Sequence, residues 1–260
     1  MELLQSHLDA LGNMRVFLHL FIHFCRVQTI VTATLDRPFP DRPFEGQLSF
    51  YVEYSGTALN TDGFSPVGTR MDEEQFGSSI QRTLEKAFKT SRAVDMESLC
   101  VITGQRVWNV RVDIHILEDD GNVIDAVMLS ALAGLTDFRR PDVQVSAEHE
   151  VTVFSEFERH PVPLSLHHFP LSVSFGIYRD SNENSVCLVD PCNLESLSQD
   201  SFITLIMNRQ GEIVHMNKPG GKAINSEFLL EELLPKAKTA SVNLSDRVSS
   251  SVAARPPITL

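Results

Sequence analysis

Between residues 110 and 135 the hydrophobic repeat changes from two to about 3.6 residues within a short turn, and few architectures accommodate that change. Val110, Val112, Ile114 and Ile116 alternate with Arg111, Asp113 and His115, the pattern of a strand with one buried face. Asp120-Gly121 follows, a pair suited to the left-handed positions of a tight turn. Asp125 has the chemistry of a helix cap, and Val127, Leu129, Leu132 and Leu135 recur after it among small residues that let a helix pack closely. A strand that folds straight back into a close-packed helix lays that helix on its own sheet, so an α/β architecture is expected.

The remaining patterns divide into two α/β halves. In the first, strands are expected at 27–35, 48–56, 99–103 and 107–117, with helices at 73–90 and 125–135. In the second, strands are expected at 151–154, 171–178, 185–190, 202–208 and 212–217, before a helix at 226–238 that opens on Ser226 and Glu227. The organisation read from these patterns is a divergent segment at 1–24, halves at 25–145 and 146–240, and a tail at 241–260 in which Arg255-Pro256-Pro257 favours no regular element. With 260 residues, 42% of them hydrophobic, the chain can bury one large core or two fused smaller ones.

The run 14–24 is apolar but shorter than the ~20 residues of a membrane-spanning helix. It follows Glu2 and Asp9 and contains His19 and His23, unlike the basic start of a secretory signal; no membrane association is expected. Val16, Leu18, Leu20, Ile22 and Phe24 share one face of an extended chain, a strand pattern. The cysteines Cys25, Cys100, Cys187 and Cys192 form no compact framework and read as reduced thiols. A zinc site from Cys187, Cys192, His167 and His168 is disfavoured, because adjacent histidines on a strand point to opposite faces. The same histidines lack a partner at catalytic spacing and are read as structural. Trp108, Phe169 and Phe175 sit in apolar strand patterns and are assigned to core or interface packing. A formal net charge of -12 argues against a free-standing nucleic-acid-binding domain, since phosphate backbones are held mainly by Lys and Arg.

Several blocks together carry a family resemblance. The strand RVDIHILEDDGN, the helix after it, FRRPDV, the turn PFPDRPFEG, the segment AVDMESLCV and the long run ERHPVPLSLHHFPLSVSF, with CLVDP and LIMNRQGEIV, cover about four fifths of the chain. It resembles the RNase PH-type ring subunits of the RNA exosome, and the pairing of RVD with FRRPDV and PVPLSLHH points to one branch of them. The resemblance implies an RNase PH-like fold of the ribosomal protein S5 domain 2-like class. It implies a ring of six such subunits capped by S1/KH-type RNA-binding proteins, whose channel feeds RNA to hydrolytic nucleases, in nucleus, nucleolus and cytoplasm. The processes it implies are ribosomal RNA maturation and 3′-to-5′ turnover and surveillance. Family members begin earlier, with an Arg-Asp-Gly-Arg-type arm and a first pair of strands. Residues 1–24 are therefore read as a non-homologous segment of a truncated or alternative gene product standing in for a missing strand, or else as a divergent isoform.

By the same resemblance, active members place Ser or Thr followed by Arg just after the Asp-Gly turn, to hold the phosphate that attacks RNA. Here those positions are Val123 and Ile124, which offer neither a hydrogen-bond donor nor a charge. Two downstream positions expected to be aspartates read Ser196 and Phe202, and Asp200 is out of register. The expectation is a non-catalytic subunit with no catalytic residues, no metal and no cofactor. The competing reading is a phosphate-dependent 3′-5′ exoribonuclease subunit with a composite site, and a third is a product that does not assemble. Arg82 and Lys86, one helical turn apart, match basic positions that face RNA in active relatives; a solvated helix face paired with Glu85 explains them equally well. Arg106 beside Gly104, and Arg139 with Arg140 after the central helix, complete the candidate RNA contacts, the last two with a competing role at the helix carboxyl end.

Overall fold

The computed structural model describes residues 6–8, 14–22, 25–55, 73–155, 157–180 and 184–253. Strands β1 (Ser6–Leu8), β2 (Met14–Ile22), β3 (Cys25–Asp36) and β4 (Gln47–Tyr54) precede helix α1 (Glu73–Leu84), which continues as a wider π turn over Glu85–Thr90. Then come β5 (Cys100–Ile102), β6 (Arg106–Glu118) and the central helix α2 (Val123–Asp137). Four short strands follow: β7 (Arg139–Arg140), β8 (Val143–Val145), β9 (Val151–Val153) and β10 (Val162–Pro163). The second half contains β11 (Leu171–Arg179), β12 (Ser185–Val189), α3 (Asn193–Ser196), β13 (Ser201–Met207) and β14 (Ile213–Gly221). It closes with α4 (Ser226–Phe228), a π turn over Leu229–Leu233 and α5 (Leu234–Ala253).

The first sheet has the order β1-β2-β3-β6-β4, with β5 on β6, and the second the order β12-β11-β13-β14. Alternation in β6 buries Trp108, Val110, Val112, Ile114 and Ile116 on one face, against which α2 packs its run of buried residues; on the neighbouring strand β4, Phe50 meets Phe88 of the π turn at 5.5 Å between rings. The inward hydroxyls of this layer bond to each other, Thr29 to Ser130 at 2.6 Å, because a buried hydroxyl without a partner is costly. Helix α2 touches both sheets. In β11 the odd-numbered Val173, Phe175 and Ile177 join Ile203, Leu205 and Met207 in a second core under Leu233 and Ala237, while Ser174 turns toward α2. The expected α/β class and the main strands stand. Among the described residues no helix is long and apolar enough to cross a membrane.

Several expectations are corrected. The helix expected at 226–238 continues to Ala253, so residues 241–253 of the anticipated tail are helical, while Arg255-Pro256-Pro257 lies outside the described residues. The boundary drawn at 145/146 falls inside a hairpin, since β8 pairs with β9 (Val145 with Val151). The left-handed residues of the central turn are Gly121 and Asn122, with φ of 108° and 51°, and Asp120 is not one of them. β2 pairs antiparallel with β3, Val16 opposite Val31, so residues 14–22 of the run form the strand that its alternation predicts; residues 23 and 24 lie outside the described residues. Trp108 and Phe175 are buried and Phe169 packs against the core.

Candidate functional site

The turn that carries β6 into α2 is where the two halves are fastened. Gly121 N–H donates to the Asp119 carboxylate at 2.9 Å, the Cys25 thiol donates to the Gly121 carbonyl at 3.1 Å, and Asn193 N–H donates to the Asp120 carbonyl at 2.7 Å. The Asn122 amide spans the junction, donating to Asp125 at 2.8 Å and to Asp190 at 2.6 Å. Asp125 is not the helix cap that its position suggested. It lies in the first turn of α2 and accepts from the Ser174 N–H at 2.9 Å and the Ser174 hydroxyl at 3.0 Å; that hydroxyl also meets Thr204 at 2.9 Å. One carboxylate thus joins the central helix to the middle of the second sheet.

The turn gathers acidic side chains. Asp119, Asp120, Asp125 and Asp190 gather about it, and burial pushes the Asp125 and Asp119 carboxyls above the usual carboxylate range. Although Asp125 keeps some exposed surface, its carboxylate is enclosed. Burial pushes the Cys25 thiol up to about 12, so it stays protonated, a donor and not a nucleophile. A helix amino terminus ordinarily attracts anions, but this one supplies its own carboxylate. Val123 and Ile124, the positions at which the resemblance leads us to expect phosphate ligands, are both buried in the core and carry no polar side-chain group.

The downstream acid positions are likewise spoken for. Phe202 is buried in β13 and Ser196 ends α3. Glu195 closes the start of α3, its carboxylate accepting from Cys192 N–H at 2.9 Å. Asp200 pairs with Lys222 at 2.6 Å and accepts from Arg179 N–H at 2.9 Å, and Lys222 holds its carboxyl below the usual range. A cavity of about 410 Å³ opens between α2, α5 and the start of β11, mostly apolar in lining, with Asn122 and Asp190 at one end and Arg247 as its cation among the described residues.

The proposed RNA-contacting residues do not form one cluster. Arg82 and Lys86 are exposed on the same face at the end of α1, and neither makes an ion pair among the described residues; Glu85 is met instead by Gln81 at 3.5 Å. Lys86 lies close enough to His215 of β14 to help burial depress that imidazole's pKa, so a cation of the first half sits beside an imidazole of the second that is held toward its neutral form. Arg106 is exposed at the start of β6, two residues from Gly104, whose φ is 74°. Arg139 and Arg140 are half-buried. Arg139 donates to the Thr136 and Phe138 carbonyls at 3.1 and 3.2 Å and Arg140 reaches the Ser98 carbonyl at 3.5 Å, so both bind backbone in the first half.

The histidines are part of the same framework. His167 N–H donates to the Ala93 carbonyl at 2.8 Å and the His168 ring meets the Ser91 carbonyl at 3.2 Å. Cys187 contacts Lys236 Nζ at 3.3 Å, and Cys192 begins α3. Among the described residues no three metal-ligating side chains cluster. Sequence reasoning missed Asn122, Ser174 and Asp190 as a unit; the available signal was the pair Ser172 and Ser174 alternating with Val173 and Phe175 in a strand buried on both faces.

Comparison with known proteins places this geometry in a family. The profile of the 3′ exoribonuclease family, domain 1 (RNase PH), matches residues 25–141, and that of domain 2 matches residues 168–240. The exosome complex component RRP45 of Danio rerio is 38% identical over 221 residues, 85% of this chain and 53% of its own length. RRP45A of Arabidopsis thaliana is 37% identical over 217 residues, 83% of this chain and 68% of its own length. The chain thus spans about half the length of the first relative and two thirds of the second. A solved Archaeoglobus fulgidus exosome with RNA bound to the active site superposes with a TM-score of 0.67 at 27% identity, covering 93% of this chain and 85% of that one. The two matched domains, the fused sheets and the turn between them agree: the chain belongs to the RNase PH (3′ exoribonuclease) family, in the branch of the exosome complex component RRP45.

Proposed function

We propose that this chain is a non-catalytic RNase PH-like subunit of an RNA exosome ring, one that builds subunit interfaces and a sector of the channel wall. The observation that carries the reading is the β6–α2 turn: Val123 and Ile124 are buried where phosphate would be held, and Asp125 is committed to Ser174. Without an anion site, and with Phe202 in the core at an expected acid position, neither nucleophile binding nor proton transfer to a leaving 3′ oxygen has a group to perform it. The chain's contribution is then scaffolding and RNA guidance for 3′-to-5′ processing, in ribosomal RNA maturation and RNA turnover, in nucleus, nucleolus and cytoplasm. Its partners are other RNase PH-like subunits, S1/KH cap proteins, hydrolytic nucleases and RNA. Co-expression with the RNase PH-like ring subunits of its own organism tests this. The expected outcome is a stoichiometric complex that survives size exclusion; a chain that stays alone while the others assemble contradicts it.

Arg82 and Lys86 are the strongest candidates for guiding RNA, because both are exposed without an ion-pair partner among the described residues. The double change Arg82→Glu with Lys86→Glu should weaken RNA protection by the assembled ring. The slope of log affinity against log salt should shrink by about one unit per lost phosphate contact. Filter binding at several salt concentrations measures it, and an unchanged slope in an intact ring returns both residues to a solvated helix face.

A further inference from the structure

The second sheet has two open edges that are built differently. On one side β14 is blunted: its register against β13 shifts twice, and it carries Lys218 and Pro219, devices that discourage an edge from pairing with other chains. On the other side β12 reads Ser185-Val186-Cys187-Leu188-Val189, without charge or proline. Among the described residues it pairs with β11 alone, in continuous register.

The ladder determines which backbone groups face outward. Asp190 N–H donates to the Ser174 carbonyl at 3.1 Å and Asp180 N–H to the Asn184 carbonyl at 3.0 Å, and between them Leu188 lies opposite Gly176 and Val186 opposite Tyr178. Antiparallel residues alternate between bonded and non-bonded pairs, so Val186 and Leu188 turn their backbone groups toward β11. The N–H and C=O of Ser185, Cys187 and Val189 therefore point away from the sheet.

The side chains at this edge are apolar and open to solvent. Val186 is 56% exposed, Leu188 37% and Val189 46%, and in the adjoining segment Leu194 is 80% and Leu197 59% exposed. The Tyr178 hydroxyl donates to the Glu195 carbonyl at 2.9 Å, which holds α3 against the end of the sheet where Val186 lies. Val189 alternates onto the other face of the sheet, and the remaining four side chains leave roughly a few hundred Å² of apolar surface near one edge, the size at which such patches mark protein interaction. That area could form the centre of an ordinary interface of roughly 800 Å² per partner.

We propose that β12 is a docking edge, to which an extended segment of a neighbouring RNase PH-like ring subunit adds as a further strand. The incoming strand bonds to Ser185, Cys187 and Val189 and covers Val186, Leu188, Leu194 and Leu197. This rests on the ring reading above and adds which surface meets the neighbour. Backbone bonds supply affinity in such strand addition, and the alternating side chains supply selectivity.

Amide hydrogen exchange on the full chain, alone and in the ring co-expressed with its RNase PH-like subunits, tests the proposal. Alone, the amides of Val186 and Leu188 should exchange slowly and those of Ser185, Cys187 and Val189 rapidly; in the ring the latter three should slow by about tenfold or more. Leu188→Lys with Leu194→Lys should reduce incorporation into the ring while the isolated chain unfolds at the same temperature. Val189→Pro removes one outward N–H and no bond to β11, and should act alike. Unchanged exchange at the three outward amides in a ring that contains the chain overturns the docking edge and leaves the ring reading standing. Failure of the wild-type chain to enter the ring removes both. Protection that grows with the concentration of the isolated chain alone overturns the choice of a different subunit as occupant.

Discussion

Asp125→Ala should lower the free energy of unfolding by about 3 kcal/mol or more, while Asp125→Asn should stay within about 1 kcal/mol of the wild type. Alanine strips acceptors from the Asn122 amide, the Ser174 N–H and the Ser174 hydroxyl at once, and leaves buried donors unpaired. Asparagine keeps an oxygen where the Asn122 amide and the Ser174 N–H donate, and its own N–H2 can donate to the Ser174 hydroxyl, which turns its proton to Thr204. Chemical denaturation of the purified chain measures both. A pH series sharpens it. Burial raises the Asp125 carboxyl, so the folded state holds that proton more tightly than the unfolded chain does. Its contribution is therefore fully present below the ordinary carboxylate range and falls as pH rises through the folded-state value. The wild type should lose stability relative to Asp125→Asn over that window, and an opposite slope would show that the hydrogen bonds outweigh burial.

Gly121→Ala should cost about 3 kcal/mol, against about 1 kcal/mol for Gly104→Ala. Both glycines are left-handed, with φ of 108° and 74°, but their surroundings differ. A Cβ on Gly104 meets nothing within 4 Å, whereas one on Gly121 comes within 2.6 Å of Asn193 N and 2.7 Å of the Cys192 carbonyl carbon. Those are backbone atoms and cannot swing aside. Alanine there must push apart the turn of the first half and the 190–193 loop of the second, so it also tests whether the halves are fastened at this point. Equal destabilisation by the two variants would reduce Gly121 to a matter of turn geometry.

The strands with strong alternation were legible to within a residue or two. The strand expected at 107–117 is Arg106–Glu118 and that at 171–178 is Leu171–Arg179, because one face or both must be apolar to cover the core. The end of α5 was not legible, for a specific reason. Its inward positions beyond residue 240 are Ser241, Ser245 and Val248, so the helical repeat is written largely in serine and is invisible to a hydrophobic period. The apolar pair Val123 and Ile124 after the central turn is noticeable only because a family resemblance supplies a register against which to read it. The fastening of the halves could not be read, because Asn122 and Asp190 lie 68 residues apart, and Asp125 and Ser174 lie 49 apart. An aspartate at the start of a helix defaults locally to a cap, and tertiary contact overrode that default.

The central claim is that this chain has the family fold without its phosphorolytic centre. Purified chain incubated with short single-stranded RNA and inorganic phosphate, with released nucleoside diphosphates as the readout, addresses it most directly. The account predicts no phosphate-dependent release above background, and none in the variant Val123→Ser with Ile124→Arg, since Phe202 and Ser196 leave the acid positions empty. Robust release of nucleoside diphosphates by the wild-type chain, proportional to phosphate, would contradict it.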